Sequence, residues 1–196
     1  LSLYHPASEQ ISFASDFPND TGKYHIIKCI EKCRTQPGIW AASGNACVVH
    51  LQHESMKMKC IQEIRIPDAC QVRVLHEDDQ GNLWIGTENA IYQYSISDGN
   101  MRRIHKDTGA INGIAISPDK AIYYITETPE FSCLPPDGQV HSIHKGENYS
   151  SIIISPDNKI WTATLEGNVY SYHPQLQTLA REDNACNANG DAVKSM

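Results

Sequence analysis

Several side chains in this chain of 196 residues have the identity that chemistry requires, and their spacing decides which chemistry is open to them. Seven cysteines stand at 29, 33, 47, 60, 70, 133 and 186, an odd number that disulfides within one chain cannot use up. Cys29 and Cys33 fall in the run from Tyr24 to Cys33, which reads as a strand. Four strand residues separate them by about 13 Å, against the ~5.5 Å Cα spacing of a disulfide. They also lack the paired C-x2-C turns of a zinc knuckle. Most of these thiols therefore read as small buried apolar residues. His50 and His53, three apart on a strand, point to opposite faces and do not share a metal. Asp78, Asp79 and Asp119 lie in turns, where an Asp side chain bonds its own backbone. Each turn offers fewer than the six or more oxygens that Ca2+ takes. No Gly-x-Ser-x-Gly elbow, P-loop or H-E-x-x-H helix is present. No catalytic residue, metal or cofactor is expected.

Composition narrows the partners. Sixteen Lys and Arg against 23 Asp and Glu leave a formal net charge of −7, which argues against nucleic acid as a partner. A hydrophobic fraction of 40% allows a packed core. No apolar run approaches the ~18 residues of a membrane helix, so no direct membrane insertion is expected. The chain opens Leu1, Ser2, Leu3, Tyr4 without a basic-then-apolar leader, so a leader has been removed or this is an internal segment. Asn19 and Asn148 open formal glycosylation sequons, read as incidental loop residues.

The elements that must position these residues repeat. Ile116-Ser117-Pro118-Asp119 recurs as Ile154-Ser155-Pro156-Asp157, 38 residues on, and Ile104-His105-Lys106 recurs as Ile143-His144-Lys145, 39 on. Aromatic residues recur inside short β-type runs at Trp40, Trp84, Tyr123 and Trp161, spaced by 44, 39 and 38. A period of ~40 residues with four short strands per unit predicts an all-β fold, a β-propeller of four-stranded antiparallel blades. The best-defined unit predicts strands at Gln71–His76, Leu83–Thr87, Ile91–Ile96 and Met101–Lys106, joined by Asp-Gly and Gly-Asn turns that tolerate positive φ. The expected layout is the outer half of a blade over 1–21, full blades over 24–68, 70–109, 110–149 and 150–190, and the first strand of a further blade over 191–196. Four full blades with partial flanks predict a fragment of a larger ring, because an open stack leaves apolar blade faces uncovered. The tryptophans read as filling between blades.

Ligands usually meet a propeller where each outer strand crosses to the next inner strand, and the loops joining second and third strands share that face. Tyr24, His25, Gln71, Arg73, Glu88, Asn112, Glu127, Tyr149 and Glu166 occupy those positions and are the candidate ligand-binding residues. Amides, Arg and carboxylates bind hydroxyls directionally, and Tyr offers a stacking face.

Val74 to Thr87, with its Asp-Gln-Gly-Asn-Leu-Trp-Ile-Gly-Thr core, followed by Ile91-Tyr92-Gln93-Tyr94, resembles the two-component regulator propeller repeat. The stretch from Ser155 to Tyr172 is a looser copy. Gly38-Ile39-Trp40 keeps part of the pattern, and the unit with Tyr123 and Pro135-Pro136 departs most from it. That resemblance implies the periplasmic sensor region of a hybrid two-component histidine kinase, as in gut Bacteroidetes. Such a segment binds an oligosaccharide or other small ligand and is not itself catalytic. The resemblance also implies the remaining blades and signalling domains of the parent chain as partners, and a homodimer in the intact receptor.

Ile111 to Asp119, with Tyr123 to Thr128, is also similar to gluconolactonase and regucalcin-type propellers. That family implies a metal-dependent hydrolase holding a divalent ion on the ring axis through Glu, Asn and Asp. Asn112 and Glu127 are the residues offered for such a site. The cysteines alone favour a third reading, a cytosolic protein-interaction propeller.

Overall fold

The computed structural model describes residues 2–5, 10–13, 27–43, 45–54, 57–69, 71–107 and 109–182. Tyr24, His25, Cys70, Cys186, the Asn19 sequon and the strand expected over 191–196 lie outside the described residues. The chain divides into two compact units, residues 1–88 with 92–104, and residues 89–91 with 105–196.

The first unit holds a two-stranded antiparallel sheet of β1 (Ser2–His5) and β2 (Gln10–Phe13). It also holds a four-stranded sheet in the order β3 (Ile27–Lys32), β4 (Ile39–Ser43), β5 (Cys47–Glu54) and β6 (Lys57–Arg65). A third sheet runs β7 (Val72–Glu77), β8 (Asn82–Thr87), β9 (Ala90–Ser95) and β10 (Met101–Lys106). The second unit contains the sheet of β11 (Ile111–Ile116), β12 (Ile122–Thr126), β13 (Glu130–Leu134) and β14 (His141–Lys145). Its other sheet is β15 (Tyr149–Ile154), β16 (Ile160–Thr164), β17 (Val169–His173) and β18 (Thr178–Arg181). Each four-stranded sheet is a meander in chain order, as the repeat predicts. In the Val72–Lys106 sheet, the expected strand bounds differ from those observed by one residue at most. Cys33 is a correction: β3 ends at Lys32, so this thiol belongs to the turn and not to the strand.

Inner strand packs on inner strand within each unit, β3 on β7 and β11 on β15. In the second unit Ala115, Tyr123, Ile125, Phe131 and Cys133 of one sheet meet Tyr149, Ile152, Ile160, Tyr170 and Tyr172 of the next. Tyr172 lies 6.1 Å from Tyr123 and 6.0 Å from Phe131, the latter edge-on, which is the geometry that aromatic quadrupoles prefer. The thiols behave as the sequence predicts. Cys33, Cys47 and Cys133 are buried, Cys29 and Cys60 half-buried, and burial pushes Cys29 and Cys33 up to about 12. His50 is buried and His53 exposed, on opposite faces of β5.

One turn position carries a recurring acceptor. The turn after each inner strand closes through Cys33 N to Gly38 O, Asp78 N to Asn82 O, Ser117 N to Ala121 O and Ser155 N to Lys159 O. The four turn-opening residues are therefore equivalent. Asp78 accepts from Gln80 N and Asn82 N, both at 2.9 Å, and from Trp84 Nε1 at 2.9 Å; Ser155 Oγ accepts from Trp161 Nε1 at 3.3 Å. Burial alone would raise the Asp78 carboxyl, but the bonds from Trp84, Asn82 and Gln80 outweigh it and hold the group below the usual carboxylate range. Two of the three indoles are thus anchored within their own blade and do not bond across to the next. Asp78→Ala is expected to cost about 1–3 kcal/mol by orphaning these donors. Asp78→Ser, which copies Ser155, should cost under about 1 kcal/mol. Equal urea midpoints for the two variants would contradict this.

Candidate functional site

The described candidate residues gather at the ends of their blades where the inner strands begin. There the register slips by one residue in every blade: between Ile27 and Cys29, Val72 and Val74, Ile111 and Gly113, and Tyr149 and Ser151. The bulged residues are Lys28, Arg73, Asn112 and Ser150. A bulge breaks strict in-out alternation and re-aims a side chain, a device common beside binding sites. Ser150 Oγ donates to Ala163 O at 3.2 Å.

The hairpin between second and third strands lies against the same end. In the first unit Glu88 Oε2 accepts from Gln71 N at 2.8 Å, and both residues adjoin the Val72–Thr87 pair, next to Arg73. In the second unit Glu127 N donates to Ala110 O at 2.8 Å, so the exposed Glu127 and the half-buried Asn112 flank the Ile111–Thr126 pair. One blade on, Leu165 N donates to Asn148 O at 2.8 Å, and Glu166 Oε1 accepts from Asn148 Nδ2 at 2.8 Å. The Asn148 bond holds the exposed Glu166 carboxyl below its ordinary range. The structure therefore pairs Gln71 with Glu88 at the strand end that carries Arg73, brings Asn112 to the same strand end as Glu127, and adds Asn148 beside Glu166. In the sequence Asn148 carries no signal beyond its sequon.

Tyr149 is placed differently. It is 4% exposed, its hydroxyl meets His144 Nδ1 at 2.5 Å, and its ring packs edge-on against Phe131 and Tyr170. It is a core residue whose face is already covered. Alternation explains this, since Tyr149 precedes the bulge and so keeps the core-facing phase of β15.

The metal that gluconolactonase-type propellers hold calls for a convergent Glu, Asn and Asp set. Asn112 and Glu127 adjoin one strand end, but among the described residues no three His, Cys, Asp or Glu side chains converge as metal ligands.

A second polar site in the second unit went unnoticed in the sequence. His105, Asp107, Tyr124, Thr126, Glu130 and Ser132 line a cavity of about 230 Å³, with Lys106 and Val140 at its margin. His105 Nε2 lies 3.4 Å from both Asp107 Oδ2 and the Tyr124 hydroxyl. Burial, and then the Asp107 charge, push the Tyr124 phenol well above its ordinary value, so it stays neutral. Ser132 Oγ donates to Glu130 Oε1 at 3.2 Å, and Lys145 Nζ pairs with the same oxygen at 3.3 Å. The available signal was the Ile-His-Lys repeat, which marks His105 and His144 as equivalent.

Among the described residues no helix is long and apolar enough to cross a membrane. A family model described as the SMP-30/Gluconolactonase/LRE-like region matches residues 74–185, more than half of the chain. A search of curated proteins finds no match. Solved structures of like fold include the WD40 domain of Neurospora crassa Pan2, with TM-score 0.64, 16% identity, and coverage of 80% of this chain and 49% of that one. Virginiamycin B lyase from Staphylococcus aureus superposes with TM-score 0.70 at 12% identity, covering 92% of this chain and 61% of the lyase. The extracellular domain of a hybrid two component system from B. thetaiotaomicron superposes with TM-score 0.61 at 15% identity, covering 82% and 22%. At these identities the likeness shows the fold, an all-β propeller architecture. The chain spans about half or less of the Pan2 and two-component chains.

Proposed function

The chain belongs to the SMP-30/Gluconolactonase/LRE-like family; within that propeller fold we propose, on the arrangement of its strand ends, that it is the ligand-binding part of an extracytoplasmic sensor propeller, not catalytic in itself. The ligand class proposed is an oligosaccharide or similar polyhydroxylated molecule. The observation that carries this reading is the repeated bulge with its adjacent hairpin carboxylate, which offers Arg73 with Glu88, Asn112 with Glu127, and Asn148 with Glu166. Carboxylates accept hydroxyl protons, while Arg and Asn amides donate to ring and hydroxyl oxygens, so each group fixes direction as well as affinity. In a periplasmic receptor such a ligand would bias the packing of propellers or of two protomers. It can do so only by binding one arrangement more tightly than the other. The superposition on a two-component extracellular domain supports the fold that this reading needs.

A second reading, a hydrolase of lactone type, is favoured by the family match over 74–185. The experiment that separates them is an NMR titration of the whole chain with a panel of oligosaccharides, run beside a lactone-opening assay with and without Ca2+, Zn2+ and Mn2+. Saturable shifts at Glu88, Asn112, Glu127 and Glu166 with no lactone opening are expected. Metal-dependent lactone opening would overturn the sensor reading in favour of the hydrolase.

A further inference from the structure

We propose that the cavity beside His105 binds a neutral polyhydroxylated molecule of single-ring size. It opens at the end of the blade where β11 begins, since Thr126 of its lining pairs with Ile111 and precedes Glu127, so the inference deepens the reading built on that face and rests on it.

The cavity exists because one blade departs from the next at two paired positions. In the last sheet Thr162 lies opposite Tyr170, and in the sheet before it Tyr124 lies opposite Ser132. Tyr170 packs beside His144 with ring centroids 5.4 Å apart, and its hydroxyl donates to Glu147 Oε1 at 2.9 Å. In the preceding blade the aromatic partner of the equivalent histidine has moved one strand inward: Tyr124 packs beside His105 at 5.8 Å. Ser132 then stands where Tyr170 stands in its own blade. The side-chain volume that a tyrosine would fill on β13 is left as the cavity of about 230 Å³.

Its lining selects the ligand class. Both carboxylates already have polar partners, Asp107 in His105 and Gly109 N, and Glu130 in Lys145 and Ser132, and the Lys145 ammonium offsets the Glu130 charge. Each carboxylate keeps lone pairs beyond those bonds, and such oxygens accept hydroxyl protons directionally. Val140, 39% exposed, supplies an apolar contact for the C–H face of a ring. The volume lies below the ~300–1,000 Å³ of drug-sized pockets, which limits the occupant to a single ring.

The test is an NMR titration of the whole chain with glucose, galactose and myo-inositol as probes. Saturable shift changes at Tyr124, Thr126 and Ser132 are expected for at least one of them. Ser132→Tyr, which copies the last blade, should abolish these changes while cooperative unfolding is kept. Glu130→Gln, which leaves the cavity open but removes the charged acceptor, should weaken binding about tenfold. The proposal is overturned if no probe gives saturable shifts there, if the same shifts survive in Ser132→Tyr, or if only charged probes such as glutamate or spermidine produce them. Should Ser132→Tyr fail to fold, unchanged affinity in Glu130→Gln overturns it. Shifts confined to Glu88 and Glu166, with none at Tyr124 or Ser132, report the other strand ends and count against this site.

Discussion

Replacing Glu77 by leucine is expected to destabilise the first unit by about 2–4 kcal/mol, although the equivalent positions in the second unit are the apolar Ile116 and Ile154. Glu77 is fully buried, and its carboxylate accepts from Thr35 N at 2.8 Å, Thr35 Oγ1 at 2.5 Å and Trp40 Nε1 at 2.6 Å. The cause lies in the turn of the neighbouring blade. Where Asp78 and Ser155 supply an acceptor for their own tryptophan, that blade has Cys33, whose thiol is a weak acceptor. The indole of the wholly buried Trp40 takes a carboxylate from β7 instead. Without it the indole N–H is orphaned in the core, while Thr35, at the surface, can turn to water. Glu77→Gln keeps one acceptor oxygen and should cost less, about 1–2 kcal/mol. Cys33→Ser in the Glu77→Leu background restores an acceptor to the turn and should recover about 1 kcal/mol, a coupling that a double-mutant cycle reads directly. Urea unfolding followed by tryptophan fluorescence measures all of these. A Glu77→Leu variant within about 0.5 kcal/mol of the parent would sink the account.

Gly38→Ala should be as damaging, at about 3–5 kcal/mol or outright failure to fold. Gly38 has φ +115°, a region open to glycine alone, and an added Cβ would come within 2.3 Å of Leu51 O. That atom is backbone in the β4–β5 pairing, where Ile39 faces Leu51, so relief requires the hairpin itself to shift. The same shift would move His50, whose Nε2 lies 2.9 Å from Pro37 O and whose ring packs 4.8 Å from Trp40. Gly138→Ala separates backbone strain from overlap. Its φ is +88° and nothing lies within 4 Å of the added Cβ, so about 1–2 kcal/mol is expected. Thermal melts of both variants decide the matter, and equal losses would show that the Leu51 contact is not what constrains Gly38.

What could be read in the chain follows the range of the physics involved. The blades were legible because alternation along a strand and Asp-Gly or Pro-Asp turns are local signals, and a period near 40 residues repeats them. The inner-strand ends that carry Arg73, Glu88, Asn112, Glu127 and Glu166 were legible for the same reason, since loop position follows from strand order. The bulges were not, because a one-residue slip leaves no mark in composition. Tyr149 looked like a loop aromatic and lies in the core, because the slip after it sets which side of β15 faces inward.

By itself, then, the sequence determined the all-β meanders, their turns, the buried thiols and the split faces of His50 and His53, all consequences of neighbours within a few residues. Tertiary structure alone decided which acceptor a buried indole takes, Asp78 within its own blade or Glu77 across to Trp40, 37 residues away. It alone decided that Ser132, set against Tyr170 one blade on, leaves room beside His105. Both depend on how one sheet stacks on the next, where buried donors must be satisfied and volume filled by residues that no local pattern brings together.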